Sequence, residues 1–449
     1  MRKLFGTDGV RGLANRDLTP EMALQLAQAF IQTLPAQETA PRVYIGKDSR
    51  LSGDMLEAAL IAGFTSLGCQ VETLGVVPTP AVAWVVRHSD AAGGVMISAS
   101  HNPAPDNGLK FFNSKGEKLS DERELAIETL LKNPLSLAAG RPTGAGVGTV
   151  SQASPLTLKP YLEALMATLP VSLKGTRVLL DTANGATSFI APTLFKENLG
   201  MQVDVLNHTP DGLNINQDCG STHLEVLKTA LKTGDYDLGI AFDGDGDRCL
   251  AVTPEGQEID GDKILYFCAR YLPELQTQTE IVATVMSNLG FEKALEKAGK
   301  HLLRTQVGDR YVLEAMREKN LALGGEQSGH VIFLKHQITG DGLLTALQLL
   351  SAWKLSQKSW AELLAEVPSY PQLLKNVVVS ASAHRTWQEN PVLQAAIETC
   401  TRQMEGEGRI LVRASGTEPK IRVMAEGREL HTVHAVVDEL VAVVEKELV

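Results

Sequence analysis

Cysteine, positive charge and long apolar runs are all scarce in this 449-residue sequence. The five cysteines, Cys69, Cys219, Cys249, Cys268 and Cys400, are odd in number, far apart and free of any Cys-x-x-Cys pair. That pattern argues against a disulfide framework or a zinc site. Lysine and arginine total 42 against 53 acidic residues, and the formal net charge of -11 disfavours a nucleic-acid binder, which needs a cationic surplus to neutralise backbone phosphates. Small anionic ligands remain open to local arginine clusters. No apolar run approaches the length that spans a bilayer. Met1-Arg2-Lys3-Leu4-Phe5-Gly6 leads into Gly- and Asp-rich sequence without the apolar core of a signal peptide. The expectation is a cytoplasmic protein with no membrane association. Low-complexity segments are also missing.

What is present is a globular composition, 44% hydrophobic and 21% charged. The length exceeds one ordinary core and suggests roughly two to four domains. One arrangement recurs three times: an apolar strand-like run, a polar turn, an amphipathic segment, a glycine and a second strand-like run. The stretches are Val43-Tyr44-Ile45 to Gly68 and Val71, Val178-Leu179-Leu180 to Gly200 and Val203, and Ile281-Val282-Ala283 to Gly299 and Leu302-Leu303. Strands and helices alternating at this spacing predict an α/β fold: three related α/β domains with mixed, largely parallel sheets. Gly140 to Ser154, rich in Gly, Pro, Ser and Thr, reads as a linker and sets a boundary near 150. A second boundary, placed after the aspartate motif near 253, is less visible. A third falls near 367, at Val367-Pro368-Ser369-Tyr370-Pro371. Beyond it, short runs at Val377-Val379, Ile410-Val412 and Ile421-Val423 precede a helix carrying Val433, Val436, Val437, Leu440, Val441 and Val444, which predicts a smaller C-terminal α+β domain. The divisions are therefore 1–150, 151–253, 254–367 and 368–449.

Three constellations carry chemistry. In Leu238-Gly239-Ile240-Ala241-Phe242-Asp243-Gly244-Asp245-Gly246-Asp247-Arg248 an apolar strand ends in carboxylates at every second position, with glycines that let the backbone wrap. Hard divalent cations take such oxygens, and carboxylates this close repel one another without a cation. An EF-hand is excluded, because counting from Asp243 puts Arg248 where that loop needs Gly and Pro254 where it needs Glu. Val95-Met96-Ile97-Ser98-Ala99-Ser100-His101-Asn102-Pro103, followed by Asp106-Asn107-Gly108-Leu109-Lys110, delivers a serine from a strand into a polar loop. Ser100 is a candidate nucleophile or phosphoryl carrier, with His101 and Lys110 as local proton or charge partners. A hydrogen-bonded turn is the structural alternative. A serine-protease triad is not supported, since adjacency of Ser100 and His101 supplies no triad geometry. Third, Arg413-Ala414-Ser415-Gly416-Thr417-Glu418-Pro419-Lys420-Ile421-Arg422 joins two strand-like runs. Arg413 and Arg422 can make forked bonds to a phosphate that Ser415, Thr417 and loop amides complete, or the segment is a plain hairpin. Gly324-Gly325-Glu326-Gln327-Ser328-Gly329-His330 suits sugar hydroxyls or an amine. Gly308-Asp309-Arg310 and Phe5-Gly6-Thr7-Asp8-Gly9-Val10-Arg11-Gly12 are weaker turns of the same kind.

Taken in this order, the motifs from Phe5 to Arg422 resemble the α-D-phosphohexomutase superfamily. The pairing of Ser-Ala-Ser-His-Asn-Pro with Gly-Glu-Gln-Ser-Gly-His is most similar to its bacterial glucosamine-phosphate branch. The resemblance implies four domains around a central cleft and interconversion of glucosamine 6-phosphate and glucosamine 1-phosphate through a 1,6-bisphosphate, feeding amino-sugar and cell-wall precursor synthesis. Carried over by motif, Ser100 would be a phosphoserine, and Asp243, Asp245 and Asp247 would hold one Mg²⁺ with a Ser100 phosphate oxygen. Arg11, His101, Lys110 and Arg248 would surround the transferring group. Gly308, Asp309, Arg310, Glu326, Ser328 and His330 would contact the sugar, and Arg413, Ser415, Gly416, Thr417 and Arg422 the phosphate that is not reacting. Gln327 favours the amino sugar, again by resemblance. The partners implied are sugar phosphates, with room for a homodimer. A mutase for glucose or mannose phosphates and a non-catalytic sugar-phosphate-binding protein are the rivals. Which of His101, Lys110 and His330 serves as general acid or base depends on burial and stays open.

Overall fold

In the computed structural model, which describes residues 4–6, 8–35, 40–137, 140–415 and 419–449, the first repeated segment folds as β2 (Arg42–Lys47), the helix Ser52–Thr65 and β3 (Gln70–Val76). Strands β2 and β3 pair in parallel, as a crossover through a helix requires. The second segment forms β7 (Arg177–Asp181), a helical stretch over 190–198 and β8 (Gln202–Leu206), again parallel. The third supplies β12 (Glu280–Thr284) and β13 (His301–Thr305). The backbone groups into two compact units, Met1–Val285 with Leu303–Trp360, and Met286–Leu302 with Ala361–Val449.

The first sheet contains β1 (Val10–Leu13), β2, β3, β4 (Gly93–Ile97), β5 (Asp106–Asn113) and β6 (Thr149–Gln152), in the order β1-β5-β4-β2-β3-β6. Its core forms because the helix Pro20–Gln32 carries Ala23, Leu26, Ala27 and Phe30 on one face at helical spacing and buries all four. Thr19 starts that helix by accepting a hydrogen bond from Met22 N. Phe30 then packs on Phe111 of β5 with ring centroids 5.3 Å apart. The second sheet runs β11-β10-β9-β7-β8, with β9 (Leu238–Phe242) wholly buried, β10 (Cys249–Val252) and β11 (Glu258–Ile259). The third runs β13-β12-β14-β15, where β14 (Leu323–Gly325) and β15 (Val331–Phe333) form a hairpin.

In the second unit, β16 (Gln372–Val378), β17 (Gly408–Ala414) and β18 (Lys420–Gly427) form an antiparallel sheet in the order β16-β18-β17. It packs on the helices Pro391–Gln403 and Leu430–Leu448 through Val377, Ile421, Val423, Leu393, Val433, Val437 and Leu440. The mixed α/β sheets and the smaller antiparallel C-terminal sheet match the expected fold class.

Two local expectations need correction. The stretch 140–154 is not a plain linker, since β6 adds to the edge of the first sheet parallel to β3, from Gln70↔Thr149 to Thr73↔Gln152. All four β6 residues are exposed, so the strand has no apolar alternation to read and is held by backbone pairing. Lys110 lies within β5 rather than in the serine loop, because β5 pairs with both β4 and β1. Among the described residues, all five cysteines are free and buried, and no helix is long and apolar enough to cross a membrane.

Candidate active site

Strands β2 and β4 are parallel neighbours with Lys47 opposite Ile97, so the turns after them, 48–50 and 98–103, leave the sheet side by side. Ser100 sits at φ +53, the left-handed region that a serine enters at a cost of roughly 1–2 kcal/mol. Its neighbours hold it there. Ser98 Oγ accepts from Ser100 N (2.9 Å) and donates to Asp48 Oδ2 (2.5 Å), while Ser100 O accepts from Arg50 Nη2 and Asn216 Nδ2, both at 2.9 Å. Arg50 is buried and its other bonds reach Asn102 O (2.8 Å), Pro103 O (2.5 Å), Asp106 O (3.0 Å) and Asp48 Oδ2 (2.9 Å). Every N–H donor of this guanidinium therefore has an acceptor, and most acceptors are carbonyls of the serine turn.

The turn from β9 to β10 brings the aspartates to this serine. Ser100 Oγ donates to Asp243 Oδ2 at 2.6 Å. The approach needs glycine: a Cβ on Gly244 would lie 2.5 Å from Ser100 O, and Gly246 turns the chain at φ +70. Asp243, Asp245 and Asp247 are buried and present oxygens within 4.8 Å of one another. Burial first, then the carboxylates of Asp247 and Asp245, pushes Asp243 well above the usual carboxylate range. Asp245 Oδ1 and Asp247 Oδ1 accept no hydrogen bond among the described residues. Orphaned buried oxygens beside a repelled carboxyl are what a hard divalent cation would relieve, so the donor set fits such an ion.

Cations line the same place. Lys110 Nζ lies 2.7 Å from Asp245 Oδ2, 3.4 Å from Asp247 Oδ2 and 2.9 Å from Asp8 Oδ2. Burial works against its charge, but Asp245, Asp8 and Asp247 together hold it well above the ordinary lysine value. Burial likewise opposes ionisation of Asp245, and Lys110 overcomes it, keeping that carboxylate below its usual range. Arg11 donates to Ala99 O (3.3 Å) and pairs with Asp8. The backbone N of Arg248 donates to Asp243 Oδ1 (3.1 Å), and its side chain stands near Asp247 at 3.9 Å. His101 Nδ1 is 3.3 Å from Ser100 Oγ. Burial, then the guanidiniums of Arg248 and Arg11, pulls His101 down to about 4, so the ring is neutral near pH 7.

The hairpin turn between β14 and β15 holds Glu326, Ser328 and His330. Cys249 N donates to Gly329 O (3.1 Å), which ties this turn to the strand that follows the aspartates. Glu326 Oε1 accepts from Gly308 N (3.1 Å), drawing in the 308–310 turn, and Asp309 Oδ2 is 3.6 Å from His330 Nε2. Gly340 N lies 3.2 Å from His330 Nε2, which leaves Nδ1 as the ring nitrogen still available. That Nδ1, like Ser328 Oγ, Arg11 Nε and Arg248 Nε, is buried without a hydrogen-bond partner among the described residues. Gln327 is committed elsewhere, donating to Asp260 Oδ2 (3.2 Å), and Arg310 is held by Asp121 (2.6 Å) and Glu314 (3.0 Å).

In the second unit, Arg413 of β17 lies directly opposite Arg422 of β18. Burial, then Arg422, lowers the Arg413 pKa. Arg422 Nε and Ser415 Oγ are buried without a partner among the described residues. Two facing guanidiniums beside a free hydroxyl suit an anion. Gly416 and Thr417 lie outside the described residues.

Models of phosphoglucomutase/phosphomannomutase domains match in chain order: alpha/beta/alpha domain I over 2–137, domain II over 159–256, domain III over 260–370 and the C-terminal domain over 374–443. Relatives called phosphoglucosamine mutase include one from Thermoanaerobacter sp. (strain X514), 48% identical over 100% of both chains. Another, from Limosilactobacillus reuteri, is 49% identical over 99% of both. The chain belongs to the phosphoglucomutase/phosphomannomutase family. The fold agrees: a solved phosphoglucomutase/phosphomannomutase family protein from Burkholderia thailandensis superposes with a TM-score of 0.82 over 99% of this chain and 97% of its own, at 23% identity.

Several residues that build this cluster carry little signal in the sequence. Asp48 and Arg50 stand in a polar turn after an apolar strand, the same placement as the serine and aspartate motifs, and that placement was the available clue. Asn216, Thr79, which donates to Asp245 Oδ2, and Lys118 had none.

Proposed function

We propose that this chain interconverts glucosamine 6-phosphate and glucosamine 1-phosphate, with Ser100 as the phosphoryl carrier. The observation that supports it most is Ser100 itself, held in a strained turn with its Oγ 2.6 Å from Asp243 inside a buried acidic and basic cluster. Full-length relatives of that name at about 48% identity point to the amino sugar.

In the first half-reaction the bond from phosphorus to Ser100 Oγ breaks and a bond to O1 of glucosamine 6-phosphate forms. The proton of the anomeric hydroxyl leaves, and Oγ gains one. The 1,6-bisphosphate reorients, Ser100 Oγ attacks the phosphorus on O6, the bond to O6 breaks, and the protons are returned, so the net change is isomerisation. Neutral His101, 3.3 Å from Oγ, is assigned to move the proton on the serine side, because Asp243, nearer at 2.6 Å, is assigned to the cation. Lys110, Arg11 and Arg248 stay charged and stabilise the equatorial phosphoryl oxygens. Asp243, Asp245 and Asp247, with an oxygen of the Ser100 phosphate, would hold Mg²⁺, which when bound neutralises charge on the transferring group. Glu326, Ser328, His330 and the 308–310 turn are assigned to the sugar, where the unpartnered Ser328 Oγ and His330 Nδ1 offer free hydrogen-bonding groups. Arg413, Ser415, Gly416, Thr417 and Arg422 are assigned to the phosphate that is not transferred. The proposed domains divide after Gln152, because β6 belongs to the first sheet, after Ile259, because β11 completes a hairpin with β10, and near 367.

The test compares turnover of glucosamine 6-phosphate, glucose 1-phosphate and mannose 1-phosphate with Mg²⁺ and a hexose bisphosphate, alongside intact mass. A preference for the amino sugar and one phosphoryl group lost in Ser100→Ala support the proposal. A clear preference for a neutral sugar, or full turnover by Ser100→Ala, refutes it.

A further inference from the structure

Lys118 lies outside every motif discussed above, yet it joins two parts of the site. Its Nζ is 2.6 Å from Asp8 Oδ1 and 2.6 Å from Asp309 Oδ2. Asp8 uses its other oxygen for Lys110 Nζ (2.9 Å) and Arg11. Lys110 in turn binds Asp245 and Asp247. On the far side, Asp309 Oδ1 accepts from Arg310 N (2.9 Å), Gly308 N donates to Glu326 Oε1 (3.1 Å), and Asp309 Oδ2 is 3.6 Å from His330 Nε2. Charge therefore alternates without a gap from Asp245 through Lys110, Asp8 and Lys118 to Asp309. One end of this chain is the aspartate turn and the other is the turn next to Glu326 and His330.

We propose that Lys118 is a positioning residue that fixes the 308–310 turn, and with it Glu326 and His330, relative to the serine and aspartate turns. The role rests on the assignment of those residues to the sugar. The physical reason is that Asp8 and Asp309 share one ammonium. Without it the two carboxylates repel across a largely covered space, and the only charge-assisted tie left between the 308–310 turn and the N-terminal part of the chain, among the described residues, is the more exposed Arg310–Asp121 pair. The sugar contacts then lose a fixed distance to Ser100, while Lys110, Arg11 and the aspartates keep one another in place. The loss therefore falls on binding of the sugar more than on phosphoryl transfer.

The experiment uses the full-length protein with Mg²⁺ and glucosamine 6-phosphate, in wild type, Lys118→Met, Lys118→Arg and Lys118→Met/Asp309→Asn. It reads KM, kcat and hydrogen exchange of the amides over 306–312. Losing charge-assisted bonds of this kind predicts that Lys118→Met raises KM about tenfold or more, with kcat changed by less than about threefold. Exchange rises over 306–312 but not over 238–248. Lys118→Arg recovers most of the KM, and removing the opposing carboxylate in the double variant returns exchange toward wild type. Unchanged KM and exchange in Lys118→Met overturn the proposal. So does a fall in kcat with faster exchange across the whole first unit, which is the signature of a merely structural lysine. Were the wild type inactive on glucosamine 6-phosphate, the assigned function would fail, while exchange over 306–312 would still decide whether Lys118 holds the turn.

Discussion

A serine at φ +53 is tolerated only because its surroundings over-determine it, and two single substitutions test that. Arg50→Met leaves Asp48 buried and unpaired and frees the carbonyls of the serine turn. The expected cost is about 3–5 kcal/mol in urea unfolding, with turnover lost in step; a change below about 1 kcal/mol would contradict the clamp. Gly244→Ala places a methyl 2.5 Å from Ser100 O. It should lower kcat by about a hundredfold or more, through misplacement of Asp243 against Ser100 Oγ. Near-normal kcat in a folded Gly244→Ala protein would show that the two turns need not touch. The residues of the motifs themselves were legible in the sequence, because their chemistry is written in side chains at short spacing. Arg50 was not, because its role is to donate to backbone carbonyls, and those bonds exist only once β2 and β4 lie side by side.

At the scale of elements, the helix Gly342–Ser356 begins at Asp341, whose Oδ1 caps Leu344 N at 3.0 Å and whose Oδ2 accepts from Tyr161 Oη at 2.8 Å. Burial pushes the Asp341 carboxyl up to about 6, more than the cap and Tyr161 pull it down. A folded-state pKa above the unfolded one favours the protonated form, so its contribution is fully present below pH 4 and is lost as pH rises through 6. A rise from 3.8 to about 6 corresponds to ~3 kcal/mol. Asp341→Asn keeps a capping oxygen and removes the titration. Its stability relative to wild type should therefore grow between pH 4 and pH 7 in urea titrations, and a difference that stays flat with pH would refute the assignment. Element type was largely readable from periodicity, as the valine-rich helix Leu430–Leu448 and the strands around it show. Strand β6 was not, since an exposed edge strand held by backbone pairing leaves no apolar pattern.

At the scale of the whole molecule, the two compact units should respond differently to a divalent cation. The carboxylates that repel one another all lie in the first unit. Mg²⁺ at about 100 times its dissociation constant should stabilise that unit by about 2.7 kcal/mol, and chelation should reverse this. Exchange should slow over 95–101 and 238–248 and stay unchanged over 408–427, and Asp243→Asn with Asp247→Asn should abolish the effect. Equal slowing of the second unit, or none in either, would count against the metal site.

The sequence by itself determined the α/β class, the succession of motifs and the residue types able to hold a cation, carry a phosphoryl group and bind anions. These follow from local side-chain chemistry and from hydrophobic period. Only the tertiary structure decided that Ser100 meets Asp243, that Lys110 answers to Asp8 as well as to the aspartates, and that Lys118 ties Asp8 to Asp309. Those contacts join residues more than a hundred positions apart, and no pattern along the chain encodes them; they arise when the turns after β4 and β9 meet, when β1 pairs with β5, and when the start of the helix Asp309–Lys319 reaches Lys118.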